Sequence, residues 1–357
     1  MRQLRISILL ISMSIWIFGC FGPVVHETTT DFPATVLNIV GTPPTSDGRE
    51  RFREIFCQIL DEKTDDQQSV GQCDQYLFRL NDEFFPIAPP KPIPIPKSRY
   101  RILIVPGFLN ACFSEIALPF EDAIAQIDDH RFKFDTLMVG VRSSSDANAV
   151  QLADMIENLD LEEDEKIVFI GHSNGVTDIL HFLVLFPETA RRVSAVISIA
   201  GAINGSRLAD RADQIFYHRM ANLLLNSCEP GDGGVLYDLR PTVSMSWLAN
   251  NPLPDSVHYF SIAAFTDRDH INTLLKTGYD LLSIYDSRND GLLLINDQII
   301  HGGTILGYVN SDHLSVALPL ESGNLKISST IQASWIFPRK ELLESALLYL
   351  AEILEAD

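Results

Sequence analysis

Much of what this 357-residue chain lacks narrows what it can be. Basic residues are scarce: 27 Lys and Arg stand against 47 Asp and Glu, a formal charge of −20. They nowhere gather into a stripe able to track phosphates, which argues against nucleic acid as a partner. The same acidic excess repels anionic headgroups, so any contact with lipid would have to be apolar. No His-x-x-x-His or Cys-x-x-Cys spacing is present, which disfavours a zinc centre, and no Gly-x-Gly-x-x-Gly turn is present for a dinucleotide. No internal repeat appears. No apolar run reaches the roughly 20 residues that a membrane span requires. Nor does the chain lack core material: 46% hydrophobic and 21% charged residues are proportions of a folded globular protein.

What is present begins at the N-terminus. Arg2 and Arg5 precede an apolar run from Ile6 to Phe18, too short to span a bilayer and suited to an export signal. The run ends in Ile17-Phe18-Gly19-Cys20, which resembles the lipobox of bacterial lipoproteins. The resemblance implies cleavage after residue 19, lipidation of Cys20 and anchoring at the bacterial cell envelope, with full secretion as the alternative. An oxidising compartment would allow the remaining cysteines, Cys57, Cys73, Cys112 and Cys228, to form two disulfides. Of three connectivities, proximity favours Cys57–Cys73 with Cys112–Cys228; buried free thiols are the alternative.

Residues 20–47 carry Pro, Thr and Gly without periodicity and read as a tether. Residues 48–97 form a small extension: Phe52, Ile55, Phe56 and Ile59 are spaced as on a helix, Gln75 to Leu80 suggests a second, and prolines 86, 89, 90, 92, 94 and 96 make a stiff boundary. From 98 to 357 the pattern alternates. Strand-like runs at Arg101–Val105, Thr136–Val139, Lys166–Ile170 and Ala195–Ile199 are each followed by an amphipathic stretch or a turn. Further strands are expected at Val257–Ala264 and Thr304–Val309, and a closing helix at Arg339–Glu355. Such alternation predicts an α/β fold, a mostly parallel sheet with helices on both faces. It breaks down between about 203 and 255, a stretch too long for a bare loop. That stretch is expected to be an inserted cap or lid, with the apolar run Met220–Leu225 facing lipid or covering a groove.

Gly171-His172-Ser173-Asn174-Gly175 lies between the strand at Lys166–Ile170 and a helical run from Val176. Strand, turn and helix are the context in which a Gly-x-Ser-x-Gly segment exposes a nucleophilic serine. A serine hydroxyl needs a base, an acid to orient the base, and donors for the developing oxyanion. Four segments then make the chain similar to the secreted bacterial true lipases of the α/β-hydrolase superfamily. Ile102–Phe108 resembles the first strand and oxyanion loop, and Gly171–Gly175 the nucleophile turn. Gly205-Ser206-Arg207-Leu208-Ala209-Asp210 resembles the Gly-Ser-x-x-Ala-Asp after the next strand, and Asn289-Asp290-Gly291 with Asp312-His313 the acid and base segments. Pro106 stands where those lipases carry a histidine.

In this fold nucleophile, acid and histidine follow in that chain order, as Ser173, Asp290 and His313 do. His301 is the alternative base and Asp286 the alternative acid. Backbone N–H groups of Phe108 and Asn174 are the expected oxyanion donors. The resemblance implies hydrolysis of carboxylic esters, lipid acyl esters among them, through an acyl-enzyme. A polyester depolymerase, an acyltransferase, or a surface lipoprotein whose chemistry has lapsed would carry the same fold. His172 receives no role. The lipases resembled here often hold a structural calcium near the histidine loop, for which Asp297 or Asp312 could serve, but isolated carboxylates define no site and neither a metal nor a cofactor is assigned.

Overall fold

The computed structural model describes residues 25–26, 44–62, 73–80, 83, 89–108, 118–127, 129–140, 142–162, 164–211, 231–320 and 336–356. The N-terminal part holds β1 (Val25–His26), β2 (Ser46–Asp47), α1 (Arg49–Glu62), α2 (Cys73–Tyr76) and β3 (Leu77–Leu80). Then come β4 (Arg99–Val105), α3 (Glu121–Ile124), β5 (Phe132–Thr136), α4 (Ser145–Glu157), β6 (Glu165–His172), α5 (Asn174–Leu185), α6 (Pro187–Ala190) and β7 (Val193–Ile199). The last third contributes α7 (Val235–Asp238), α8 (Pro241–Asn250), β8 (His258–Phe265), α9 (Lys276–Leu282), β9 (Thr304–Asn310) and α10 (Arg339–Leu354).

The strands form one sheet in the order β1-β3-β9-β8-β7-β6-β4-β5, with β2 also on β9. Every pairing from β5 through to β9 is parallel, whereas β3 is antiparallel to β9. Because side chains alternate across a strand, each run supplies two cores. Tyr100, Ile102, Ile104, Val168, Ile170, Ala195 and Ile197 face α1, α3 and α10. Leu103, Val105, Ile167, Phe169 and Val196 face α4 and α5. Strands buried on both sides read as continuous apolar runs, which is why they were visible in the sequence.

Two expectations change. The second strand is Phe132–Thr136 rather than 136–139. Phe132 stacks on Tyr100 at 5.7 Å and sets the register, while Leu137 and Val139, beyond its end, pack into the α4/α5 core. Residues 77–80 form a strand instead of a helix: Leu77 and Phe78 pair with Val309 and Tyr308, and Phe78 packs on Phe265 at 4.5 Å. Within the extension 48–97, Phe52, Ile55 and Phe56 of α1 are fully buried in the core shared with Leu342, Leu343 and Leu347 of α10. At about 1.5–3 kcal/mol for each large apolar side chain buried, α1 is integral to the domain. The proline-rich stretch is fastened to α1, where Arg51 donates to the carbonyl of Pro92 and Gln58 to that of Lys91. Within the expected tether, Val25–His26 pairs with β3 and Ser46–Asp47 with β9.

The described part of the insertion, with α7 and α8, docks against the N-terminus of α4. Asp232 accepts from the Ser144 N–H at 2.7 Å and Asp238 from the Ser145 N–H at 2.7 Å, while Trp247 stacks on His181 at 3.7 Å. The run Met220–Leu225 lies outside the described residues, as do Cys20, Cys112 and Cys228. Cys57 and Cys73 are joined by a disulfide that ties α1 to α2.

Candidate active site

Ser173 sits on the tight turn between β6 and α5 with φ 58° and ψ −133°, a left-handed conformation that costs a non-glycine residue of order 1–3 kcal/mol. The surroundings over-determine it. A Cβ on Gly175 would lie 2.3 Å from the Val105 carbonyl oxygen, and one on Gly171 would lie 2.8 Å from the Val176 Cα, so both flanking positions require glycine. The Ser173 carbonyl accepts from the Ala202 N–H at 3.0 Å, tying the turn to the segment after β7. Gly107 presses its backbone against the serine: a Cβ there would stand 2.5 Å from the Ser173 Cβ. The loop after β4 therefore abuts the candidate nucleophile.

His313 and Asp290 approach the same edge from loops after β9 and α9. His313 Nδ1 lies 2.7 Å from Asp290 Oδ2, and the two side chains are 2% and 0% exposed. The second carboxylate oxygen accepts from the N–H groups of Leu292 and Leu293 at 2.9 and 2.7 Å. The His313 N–H also donates to the Asp290 carbonyl at 2.9 Å, so the two residues are joined by side chain and backbone alike. Asp312 fastens the loop from beneath, accepting from the N–H groups of Asn272, Leu314 and Ser315 and from the Ser315 hydroxyl. Burial pushes the Asp312 carboxyl upward against the pull of those bonds. The alternatives are engaged elsewhere: Asp286 pairs with Arg288 at 2.6 Å, and His301 Nε2 meets Asn204 Oδ1 at 2.8 Å.

His172, to which the sequence assigned nothing, packs its ring 4.9 Å from that of His313, with Nε2 2.8 Å from the His313 carbonyl oxygen. Burial, then the neighbouring His313, brings its pKa down to about 3, so it is neutral at ordinary pH. A signal for it existed only as its place beside Ser173.

Phe108 and Asn174 are brought together, in a way the sequence did not indicate. The Phe108 N–H donates to the side-chain oxygen of Asn174, and Asn174 Nδ2 in turn reaches Asp178 Oδ2 at 3.5 Å. Asn174 opens α5, where the N–H groups and the helix dipole favour negative charge. Asp178 is wholly buried beneath it, pushed up to about 8 by burial, and accepts from Asn148 Nδ2 at 2.9 Å. An apolar cluster of Ile271, Leu275, Tyr279, Leu314, Leu318 and Leu320, with Phe108 and Leu292 packed on it, adjoins His313 through Leu314. Among the described residues no group of three or more His, Cys, Asp or Glu side chains is placed to hold a metal ion, and no helix is long and apolar enough to cross a membrane. Asp297 is partly buried, and desolvation of its carboxyl pushes it up to about 7.

The parallel sheet with helices on both faces, and a strained serine at its carboxyl edge, define an α/β-hydrolase. The chain is similar over 91% of its length to a metagenomic carboxyl esterase of known structure, with 36% identity, a TM-score of 0.80 and 96% of that chain covered. It belongs to the carboxyl esterase family and is a carboxylic-ester hydrolase. The fold is shared more distantly with a Bacillus licheniformis lipase, at 20% identity and TM-score 0.50 over 62% of this chain and 89% of that one. It is shared too with EstA from Clostridium botulinum, at 13% and 0.51 over 84% and 98%. No family model matches the chain, and no curated protein sequence does.

Proposed function

We propose that the esterase works through Ser173 as nucleophile, His313 as general base and Asp290 as the acid that orients the base. The observation that carries this is the buried His313 Nδ1 to Asp290 Oδ2 pair, at the same sheet edge as the strained Ser173. An imidazole held by a carboxylate at Nδ1 presents Nε2 as a base, as the reaction requires. His313 takes the Ser173 proton as Oγ attacks the ester carbonyl, then returns it to the departing alkoxide. Water activated by the same histidine releases the acyl group. The N–H groups of Asn174 and Phe108 receive the oxyanion, with the Asn174 side chain yielding the Phe108 N–H to the stronger, charged acceptor.

The substrates proposed are esters with an apolar acyl group, lipid esters included, because the partly exposed Phe108, Leu274 and Leu292, packed on the cluster around Leu275 and Leu314, offer a chain apolar surface near the base. Ser173→Ala should abolish hydrolysis of short- and long-chain p-nitrophenyl esters and labelling by a fluorophosphonate; retained hydrolysis of both would refute the assignment. The protein is further proposed to be exported and held at the envelope through a lipidated Cys20, on the strength of the basic-apolar-Gly-Cys N-terminus. Expression in a bacterial host tests this: the wild-type chain should partition into detergent, and Cys20→Ala should move to the aqueous phase.

A further inference from the structure

We infer that His172 is a positioning residue that sets the distance between the nucleophile and the base, an inference resting on the roles just proposed for Ser173 and His313. His313 is restrained at three atoms. Its Nδ1 meets the Asp290 carboxylate at 2.7 Å, its N–H donates to the Asp290 carbonyl at 2.9 Å, and its carbonyl lies 2.8 Å from His172 Nε2. The first two restraints both come from the acid's loop, so acid and base could shift together without breaking either. The third originates on β6, one residue before Ser173, and ties the base to the nucleophile's own strand.

The chemistry of the contact selects a histidine. A carbonyl oxygen only accepts, so His172 Nε2 carries the proton and donates. The donor must also be neutral. The base becomes an imidazolium as Ser173 attacks, and a permanent cation 4.9 Å away between ring centroids would oppose that charge. His172 is 1% exposed, and a wholly buried imidazole beside a second one stays uncharged. A lysine or arginine there would keep the hydrogen bond and lose the neutrality. A leucine would do the reverse.

The test separates the donor from the ring. His172→Phe keeps a buried ring without the N–H, and His172→Gln keeps a neutral N–H of similar reach. With a p-nitrophenyl ester, His172→Phe should lower kcat by about 10–100-fold, since displacement of a catalytic group by about 1 Å costs on that order. KM should stay within about twofold, as the binding surface is untouched. Fluorophosphonate labelling should slow in parallel, and His172→Gln should recover most of kcat. If the phenylalanine variant does not fold, as judged by near-UV circular dichroism, His172→Ala takes its place with the same expectations. Wild-type kcat in the donorless variant, or a glutamine variant as slow as it, would overturn the inference. His313→Ala is assayed alongside. Should it retain wild-type activity, the triad assignment itself fails; should it be inactive while His172→Phe is unimpaired, only the positioning role does.

Discussion

Ser173 and the His313–Asp290 pair meet at one edge of the sheet but are held there by different physics. The arm that carries Ser173 is local and steric: a strained turn between consecutive elements, flanked by glycines whose missing side chains admit Val105 and Val176. The arm that carries Asp290 and His313 is long-range and polar. Its loops follow α9 and β9, and they are fixed by hydrogen bonds among residues 272, 290, 292, 293, 312, 313 and 315. A steric arm resists displacement because neighbouring atoms cannot overlap. A polar arm is only as firm as its donors and acceptors, and it can be retuned by one proton.

The contrast can be broken most forcefully at the acid. Asp290→Asn preserves shape but lets the side chain donate where it should accept, so kcat should fall by about 10⁴ with the fold unchanged by circular dichroism. An activity loss of under tenfold would mean the polar arm does not depend on this pair. On the steric arm the effect should fall on stability. Gly175→Ala drives a Cβ into the Val105 carbonyl, and overpacking of this kind costs about 1–3 kcal/mol, read as a lower Tm with activity reduced only as far as folding is. Retained Tm would show that the turn has room to relax.

Asp312→Asn sharpens the comparison. The amide oxygen can still serve Leu314 and Ser315, but its NH2 faces the Asn272 N–H, and one buried hydrogen bond becomes two opposed donors. A loss of about 1 kcal/mol corresponds to roughly fivefold, expected in kcat rather than KM, and assayed by steady-state hydrolysis. The smallest effect concerns Asp178. Burial raises its pKa in the fold to about 8, above the ordinary aspartate value of about 3.9, so the fold binds the proton more tightly than the unfolded chain does. The stability this provides is full below about pH 4 and is lost as pH rises through about 8. Asp178→Asn, permanently neutral, should therefore exceed the wild type in Tm by a few degrees at pH 8.5 and show no such advantage at pH 4, measured by thermal melts across pH.

Legibility in the sequence followed the same division. Ser173 was evident because everything that places it is within a few residues: an apolar strand, two glycines and a helix start. Asp290 and His313 were singled out from chain order and resemblance, while the partners of Asp286 and His301, Arg288 and Asn204, are contacts that no local pattern marks. The strand at Leu77–Leu80 was misread as helix because its pairing partner lies more than two hundred residues away on β9. The first helix was read correctly from its spacing, yet its membership of the main core depends on α10 at the other end of the chain.

By itself, then, the sequence determined the alternation of strand and helix, the burial of the sheet on both faces and the turn that carries the serine, since periodicity and glycine act within a few residues of one another. Tertiary structure alone decided which carboxylate meets which histidine, that His172 reaches His313, and that the Phe108 N–H is engaged by Asn174. Those are contacts between segments far apart in the chain, and hydrogen-bond partners at such separations leave no period or spacing to read.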